Sequence, residues 1–364
     1  MKLNRLAIIF SLTLLALVLS ACGAPAAVSW PGLAADSETA YLANGSALIA
    51  VRLKDGEELW NFPEKPGAKW TFYANPVLTT DGQILIGSSG TEHALFLVDA
   101  QTGKESWSYS DVGDQWVASP LVDGDMVYAP NSDGTLYVFD LSIAGDDKLA
   151  WKINLGGKLW SQPASDGERV YVASLDHRVH AVDIATKKLI WVVDLEGANT
   201  GAPATANGLL YVGSFGSSFE ALNTTDGSIA WTTPTKNWVW GGPTLDGEKL
   251  YFADLAGFFY SVDASNGKLL SDPVQLDGAI LASPVLYNGR IIIVTENLET
   301  NESTVFAINA DGSIESLETI KGKLYTTPVI VGDLILVAPF KGDTLLIALD
   351  ADGKQVWQYP ATQK

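Results

Sequence analysis

The chain has 364 residues, 47% of them hydrophobic and only 18% charged, so it carries enough apolar surface for a core and its bulk is not intrinsically disordered. Its 42 acidic against 23 basic residues give a formal charge of −19 and a sequence pI near 4.4, a balance that repels phosphate backbones and argues against nucleic acid as a partner. With 34 glycines and 12 each of Trp, Tyr and Phe, the composition favours short, half-buried strands joined by tight turns, which points to an all-β fold.

The chain opens with the three parts of an export signal: Lys2 and Arg5, an apolar run from Leu6 to Leu19, and small residues at Ser20 and Ala21. That run is shorter than the roughly 20 residues a membrane-spanning helix needs. The single cysteine, Cys22, directly follows Leu19-Ser20-Ala21 in an arrangement that resembles a bacterial lipobox, where the thiol takes a diacylglycerol and cleavage occurs before the cysteine. Residues 1–21 are then expected to be a cleaved lipoprotein signal peptide, residues 22–27 a tether, and the lipid on Cys22 the membrane anchor. Gly23 is compatible with the outer membrane, where an Asp would favour inner-membrane retention. The expected location is extracytoplasmic: the periplasmic face of the outer membrane in a two-membrane envelope, or the outer face of the cytoplasmic membrane in a one-membrane envelope.

From residue 28 to residue 361 the sequence repeats. A proline opens each unit at Pro31, Pro76, Pro120, Pro163, Pro203, Pro243, Pro284 and Pro328. After most of them come a turn signal, a short apolar strand, a polar loop, a second strand ending in Asp or Asn, a Gly turn and a Trp. The Trp position reads Trp60, Trp107, Trp151, Trp191, Trp231, Ser271, Ser316 and Trp357, and Tyr41, Tyr128, Tyr171, Tyr211 and Tyr251 recur in the second strand. Asp-Gly or Asn-Gly pairs, such as Asn207-Gly208 and Asn288-Gly289, read as hairpin turns that need positive φ. Four strands in each period of 40–45 residues predict an eight-bladed β-propeller of four-stranded antiparallel blades. Ser271 and Ser316 remove the Trp from units six and seven, so those blades are expected to be the least regular. Unit one begins at its own proline strand and unit eight runs through its own Trp strand. Each terminal blade is therefore expected to be one continuous segment, the two meeting by side-chain packing.

The Val-Tyr-Val-like strand, the Ala-Val-Asp-like strand, turns such as Thr102-Gly103 and the closing Trp resemble the pyrroloquinoline-quinone-type propeller repeat. The resemblance spans essentially the whole repeat region and is specific for fold, less so for function. In the quinoprotein dehydrogenases of that family it implies a quinone in the central funnel, a calcium ion held by Glu, Asn and Asp, and an adjacent Cys-Cys disulfide. With Cys22 its one thiol, this chain cannot form that disulfide, and it lacks the funnel-building insertions. His177 and His180 sit three apart on a loop-to-strand segment and point to opposite faces, so they cannot chelate together. No catalytic triad order, phosphate loop or metal-ligand spacing is present, and the expectation is a protein without enzymatic activity, cofactor or metal.

What remains is surface. The linkers before the unit prolines carry Trp70, Tyr73, Trp116, Trp160, Trp238, Trp240 and Tyr325, and are expected to ring one mouth of the channel as a partner- or ligand-binding face. For Trp160 and Trp240, packing between blades stands beside that reading. Trp238 and Trp240 lie on one side of an extended segment, so one can pack while the other reaches solvent. The loops between second and third strands share this face and add His177 and Arg178; the longer stretch 296–303 reads as a solvated tip, with a binding role as the alternative. The resemblance to lipidated propellers of that repeat family implies a protein-binding scaffold for envelope proteins or β-barrel assembly components, a monomer within a larger complex. The alternatives are a small-ligand or cofactor sensor and, less favoured, a quinone-dependent dehydrogenase.

Overall fold

The computed structural model describes residues 30–340 and 342–361; the export signal, Cys22 and the tether lie outside them. Among the described residues the regular structure is entirely β, arranged as eight antiparallel sheets. The blades run over 32–62, 70–109, 121–154, 164–194, 204–234, 244–275, 285–321 and 329–359. The first strands of successive blades approach one another around the axis, as Gly32–Ala35 of blade one does with Val329–Val331 of blade eight.

Blade four shows why these sequences fold this way. Arg169–Ala173 and Arg178–Asp183 are apolar on both faces and buried on both, because a neighbouring sheet packs on each side. The outer strand Lys188–Asp194 is exposed except around Trp191, which turns inward. Tyr171, Ala181 and Trp191 form one cross-strand row, and the small alanine lets the two rings meet at 5.7 Å. The Asn-Gly hairpins behave as their chemistry requires: Asn207 and Gly208 have φ of 52° and 76°, Asn288 and Gly289 of 50° and 77°.

The repeated Trp is the joint between blades. Its indole N–H donates to a backbone carbonyl of the following blade: Trp60 to Ala100 at 3.0 Å, Trp107 to Asp146 at 2.7 Å, Trp191 to Thr224 at 3.0 Å, Trp231 to Ala264 at 3.1 Å and Trp357 to Leu53 at 2.6 Å. At four of these joints, those of Trp60, Trp191, Trp231 and Trp357, a glycine in that blade's last turn gives the ring room; a Cβ on Gly227 would lie 2.7 Å from the Trp191 ring. Trp151 departs from this. The turn it faces carries Lys187, at φ 60°, in place of glycine, and Trp151 is only half-buried, edge-on to Tyr128.

Three expectations need correction. Blade two has a fifth strand: Trp70–Phe72 and Val77–Leu78 both pair with the long strand Gln83–Gly90, because this unit carries extra residues between Trp60 and Pro76. Blade six is irregular as expected, its outer strand reduced to Val274–Gln275, but blade seven is not. There the outer strand Ile314–Lys321 is among the longest, and Leu317 takes the missing Trp's place against Gly353 of blade eight. The ends of 296–303 are not a solvated tip. Glu296 and Ser303 are buried, Glu296 paired with Lys323 and the Ser303 hydroxyl accepting from the Leu324 amide at 3.0 Å, which leaves only the middle exposed.

Blades one and eight are each one continuous segment. They meet through side chains: Trp357 bonds to Leu53, Thr326 donates to the Pro31 carbonyl, and Leu42, Ile49 and Val51 pack with Leu336, Leu346 and Trp357.

Candidate functional site: the channel mouth

The linker entering each blade is tied by backbone hydrogen bonds to loops between second and third strands. Leu175 donates to the Lys158 carbonyl and Leu255 to that of Trp238, so both sets of loops share one face, as the sequence implied. Within these linkers the extended backbone separates two roles. The residue four before the proline turns into the interface between blades: Phe72, Trp116, Leu159, Asn199, Val239, Ile280 and Leu324 are all buried. The residue three before the proline turns to the axis. Tyr73, Val117, Trp160, Thr200, Trp240, Leu281 and Tyr325 line a mouth cavity of about 180 Å³, together with Trp30.

Four of the seven aromatic candidates in the linkers, Tyr73, Trp160, Trp240 and Tyr325, therefore meet at the mouth. Trp160 is held there by its indole N–H, which donates to the Ser132 hydroxyl at 3.0 Å, and Tyr73 stands edge-on to Trp30 at 5.0 Å. The other three do not line it. Trp116 is 1% exposed and packs edge-to-face on Tyr137 at 5.4 Å, with Gly87 leaving space for it. Trp70 is a blade-two strand residue stacked on Phe62 and edge-on to Phe96. Trp238 is 47% exposed on the same face but outside the cavity, its ring 5.0 Å from Phe215 and inclined by only 10°. Phe215 also stacks on Trp240 at 5.3 Å, so it joins the exposed indole to the mouth. Sequence reasoning missed Phe215, although an aromatic among the serines of loop 214–218 was a usable signal.

His177 lies at the tip of its loop with φ 72°, and His180 is buried with Nδ1 against the Val172 carbonyl, so the two do not converge. Arg178 is engaged by Asp176 and by Asp194, the latter at 3.0 Å, which raises its pKa and fixes it as a structural cation.

One interface is chemically unlike the rest. Phe72 meets Phe96 at 6.4 Å, and Trp116 meets Tyr137, each pair joining the position four before the proline to the one three before the third-strand Asp. Between blades four and five those positions hold Asn199 and Glu220, 0% and 4% exposed. Among the described residues Asn199 Oδ1 and Glu220 Oε2 have no hydrogen-bond partner, while the other Glu220 oxygen accepts from Ser218. Burial, with a smaller contribution from Glu196, pushes the Glu220 carboxyl up to about 7 against the opposing effect of Ser218.

The chemistry of the mouth differs from what the cofactor of the quinoprotein fold requires. Pyrroloquinoline quinone is a polycarboxylate that pairs with calcium, yet the cavity lining contains no Lys, Arg, His, Asp or Glu. These residues do not fit that pair. They present aromatic faces with Ser, Thr and Gln hydrogen-bonding groups instead.

Fold and repeat together define an eight-bladed propeller of pyrroloquinoline-quinone-like repeats with an uncharged, aromatic mouth. The chain belongs to the family whose model is described as outer membrane protein assembly factor BamB, which matches residues 43–144 and 141–272. It is 25% identical over 127 residues to the outer membrane protein assembly factor BamB of Burkholderia pseudomallei (strain K96243), a stretch that is 35% of this chain and 31% of that protein. This match thus spans about a third of that relative's length. In fold it is similar to the crystal structure of BamB from Moraxella catarrhalis, with a TM-score of 0.66 at 18% identity over 88% of this chain and 93% of that one. It is also similar to a europium-containing methanol dehydrogenase, with a TM-score of 0.62 at 14% identity over 73% of each chain.

Proposed function

We propose that this chain is a non-catalytic, lipid-anchored scaffold outside the cytoplasm, whose mouth face binds protein segments during envelope or outer-membrane protein assembly. The observation that carries this reading is the convergence of Tyr73, Trp160, Trp240 and Tyr325 on an uncharged mouth, extended across the face by Phe215 and exposed Trp238. Rigid aromatic side chains bury large areas at small entropic cost, which suits recognition of protein chains. Membership of the assembly-factor family supports the setting, and the description outer membrane protein assembly makes β-barrel assembly components the partners we would look for.

Crosslinking and recovery from native membranes tests it. Wild-type protein is expected to bring down barrel-assembly components, and the pair Trp160→Ala with Trp240→Ala to lose them while remaining folded. Equal recovery by both proteins would remove the mouth from the reading. A second reading rests on the cavity of about 180 Å³, which suits a small neutral ligand with a planar face. Native mass spectrometry distinguishes it: a stoichiometric small molecule lost with Trp240→Ala would favour a sensor. Dye reduction with calcium, quinone and alcohol would instead establish a dehydrogenase.

A further inference from the structure

The outer strand of a blade is an open sheet edge whose outward N–H and C=O groups can pair with another strand. Most outer strands here carry polar residues that discourage this: Glu58 and Asn61 in blade one, Ser106 and Ser108 in blade two, Lys152 in blade three, Thr232 in blade five, Glu315 and Glu318 in blade seven, Gln355 and Gln358 in blade eight. Blade six has almost no outer strand. Blade four differs. Between Lys188 and Asp194 its strand reads Leu-Ile-Trp-Val-Val, with Leu189, Ile190 and Val192 exposed by 46%, 43% and 43%. Among the described residues the strand pairs only with Arg178–Asp183. Its bulge recurs in most other blades and so does not account for the missing polar residues.

The charges at its two ends point to the occupant. Antiparallel pairing of this strand with itself about a two-fold axis at Trp191 sets Lys188 opposite Asp194, Leu189 opposite Val193 and Ile190 opposite Val192. Both ends then form cross-strand ion pairs and the middle forms an apolar row. Asp194 already accepts from Arg178 but is 74% exposed at its side chain, leaving it accessible to a second cation, and Lys188 is exposed. Parallel pairing would set Lys188 beside Lys188 and Asp194 beside Asp194. We propose that blade four is a self-association edge, by which two copies of this chain pair antiparallel through residues 188–194. One strand pair buries on the order of half of the ~1,600 Å² of a standard interface, so the association is weak and shows itself at high local concentration. The sequence had led to the expectation of a single copy.

The test uses the full chain purified in detergent, as a mixture of isotopically light and heavy protein. Zero-length carbodiimide crosslinking is expected to join Lys188 of one copy to Asp194 of another, seen as a mixed light–heavy peptide. K188D and D194K are each expected to weaken self-association about tenfold or more by setting like charges opposite each other. Mixed together, they are expected to associate, because both opposing pairs are then complementary. A wild-type protein that sediments as a monomer at millimolar concentration overturns the proposal. So do intermolecular crosslinks only outside 188–194, or variants that associate alone as well as wild type. Ile190→Lys, at an exposed site, provides a folded control that is also expected to dissociate the pair.

Discussion

Trp191 of blade four donates its indole N–H to the carbonyl of Thr224 in blade five, 3.0 Å away, while Gly227 lies beneath its ring. Truncation to Ala removes both the bond and the packing, and is expected to cost about 3–5 kcal/mol in denaturant unfolding, as for other large-to-small core changes. Trp191→Phe keeps most of the packing and leaves the Thr224 carbonyl with only the longer bond from the Tyr171 hydroxyl, at 3.5 Å, a loss of about 0.5–1.5 kcal/mol. A change below about 1 kcal/mol for the alanine variant would mean that Trp191 does not hold the joint.

Glu220 makes stability depend on pH in an unusual direction. Its folded pKa of about 7 lies above the ordinary glutamate value of 4.5, so between those values the folded state holds a proton the unfolded chain has released. Stability is fully retained below about 4.5 and falls as pH rises through about 7, by on the order of 3 kcal/mol in all. Glu220→Gln is expected to flatten that slope in urea titrations run at several pH values. An unchanged slope would show that the carboxyl is ionised throughout.

Blade seven tests how the fold manages without its Trp. Leu317 lies against Gly353, where a Cβ would come within 2.6 Å of it, and Leu317→Ala is expected to lower stability by about 2 kcal/mol. At blade six nothing lies over Gly312, but the local outer strand is too short to direct a side chain there. Ser271→Trp is therefore expected to leave the melting temperature nearly unchanged. A clear rise would show that the strand can extend when given its missing anchor.

Cys22 lies outside the described residues, and its role is tested by fractionation. Cys22→Ala is expected to move the protein into the soluble envelope fraction with its fold intact. Retention on membranes after a carbonate wash would remove the lipid anchor from the proposed function.

The joint between blades eight and one has the same Trp, glycine and apolar packing as other joints but no linker across it. Hydrogen exchange followed by mass spectrometry is expected to show fastest opening around Leu53 and Trp357. Uniform protection around the ring would show that side-chain packing alone matches the linked joints.

The repeat was legible because a proline, a Tyr and a Trp recur at fixed places, and each recurrence has one physical job. The mouth was legible only in part. Counting aromatics in a window before each proline placed Trp116 beside Trp160, though one residue of offset in an extended segment sends the first into an interface and the second to the axis. Trp70 was misplaced for a different reason: the longer first linker has room for a strand, which no residue type announces. Asn199 and Glu220 were visible as polar residues at repeat positions mostly held by apolar or aromatic ones, and aligning the units by side-chain direction would have found them.

The Trp357–Leu53 bond joins residues 304 apart in sequence, whereas Trp191 and Thr224 are separated by 33. Hairpins and most joints can therefore form as the chain is made, but the outward face of blade one must wait for nearly all of it. Until blade eight exists, Leu42, Ile49 and Val51 lack the apolar residues that cover them in the finished ring. A chain ending before residue 329 thus carries a bare, sticky sheet, and is expected to be held by chaperones or to aggregate rather than settle into a smaller ring.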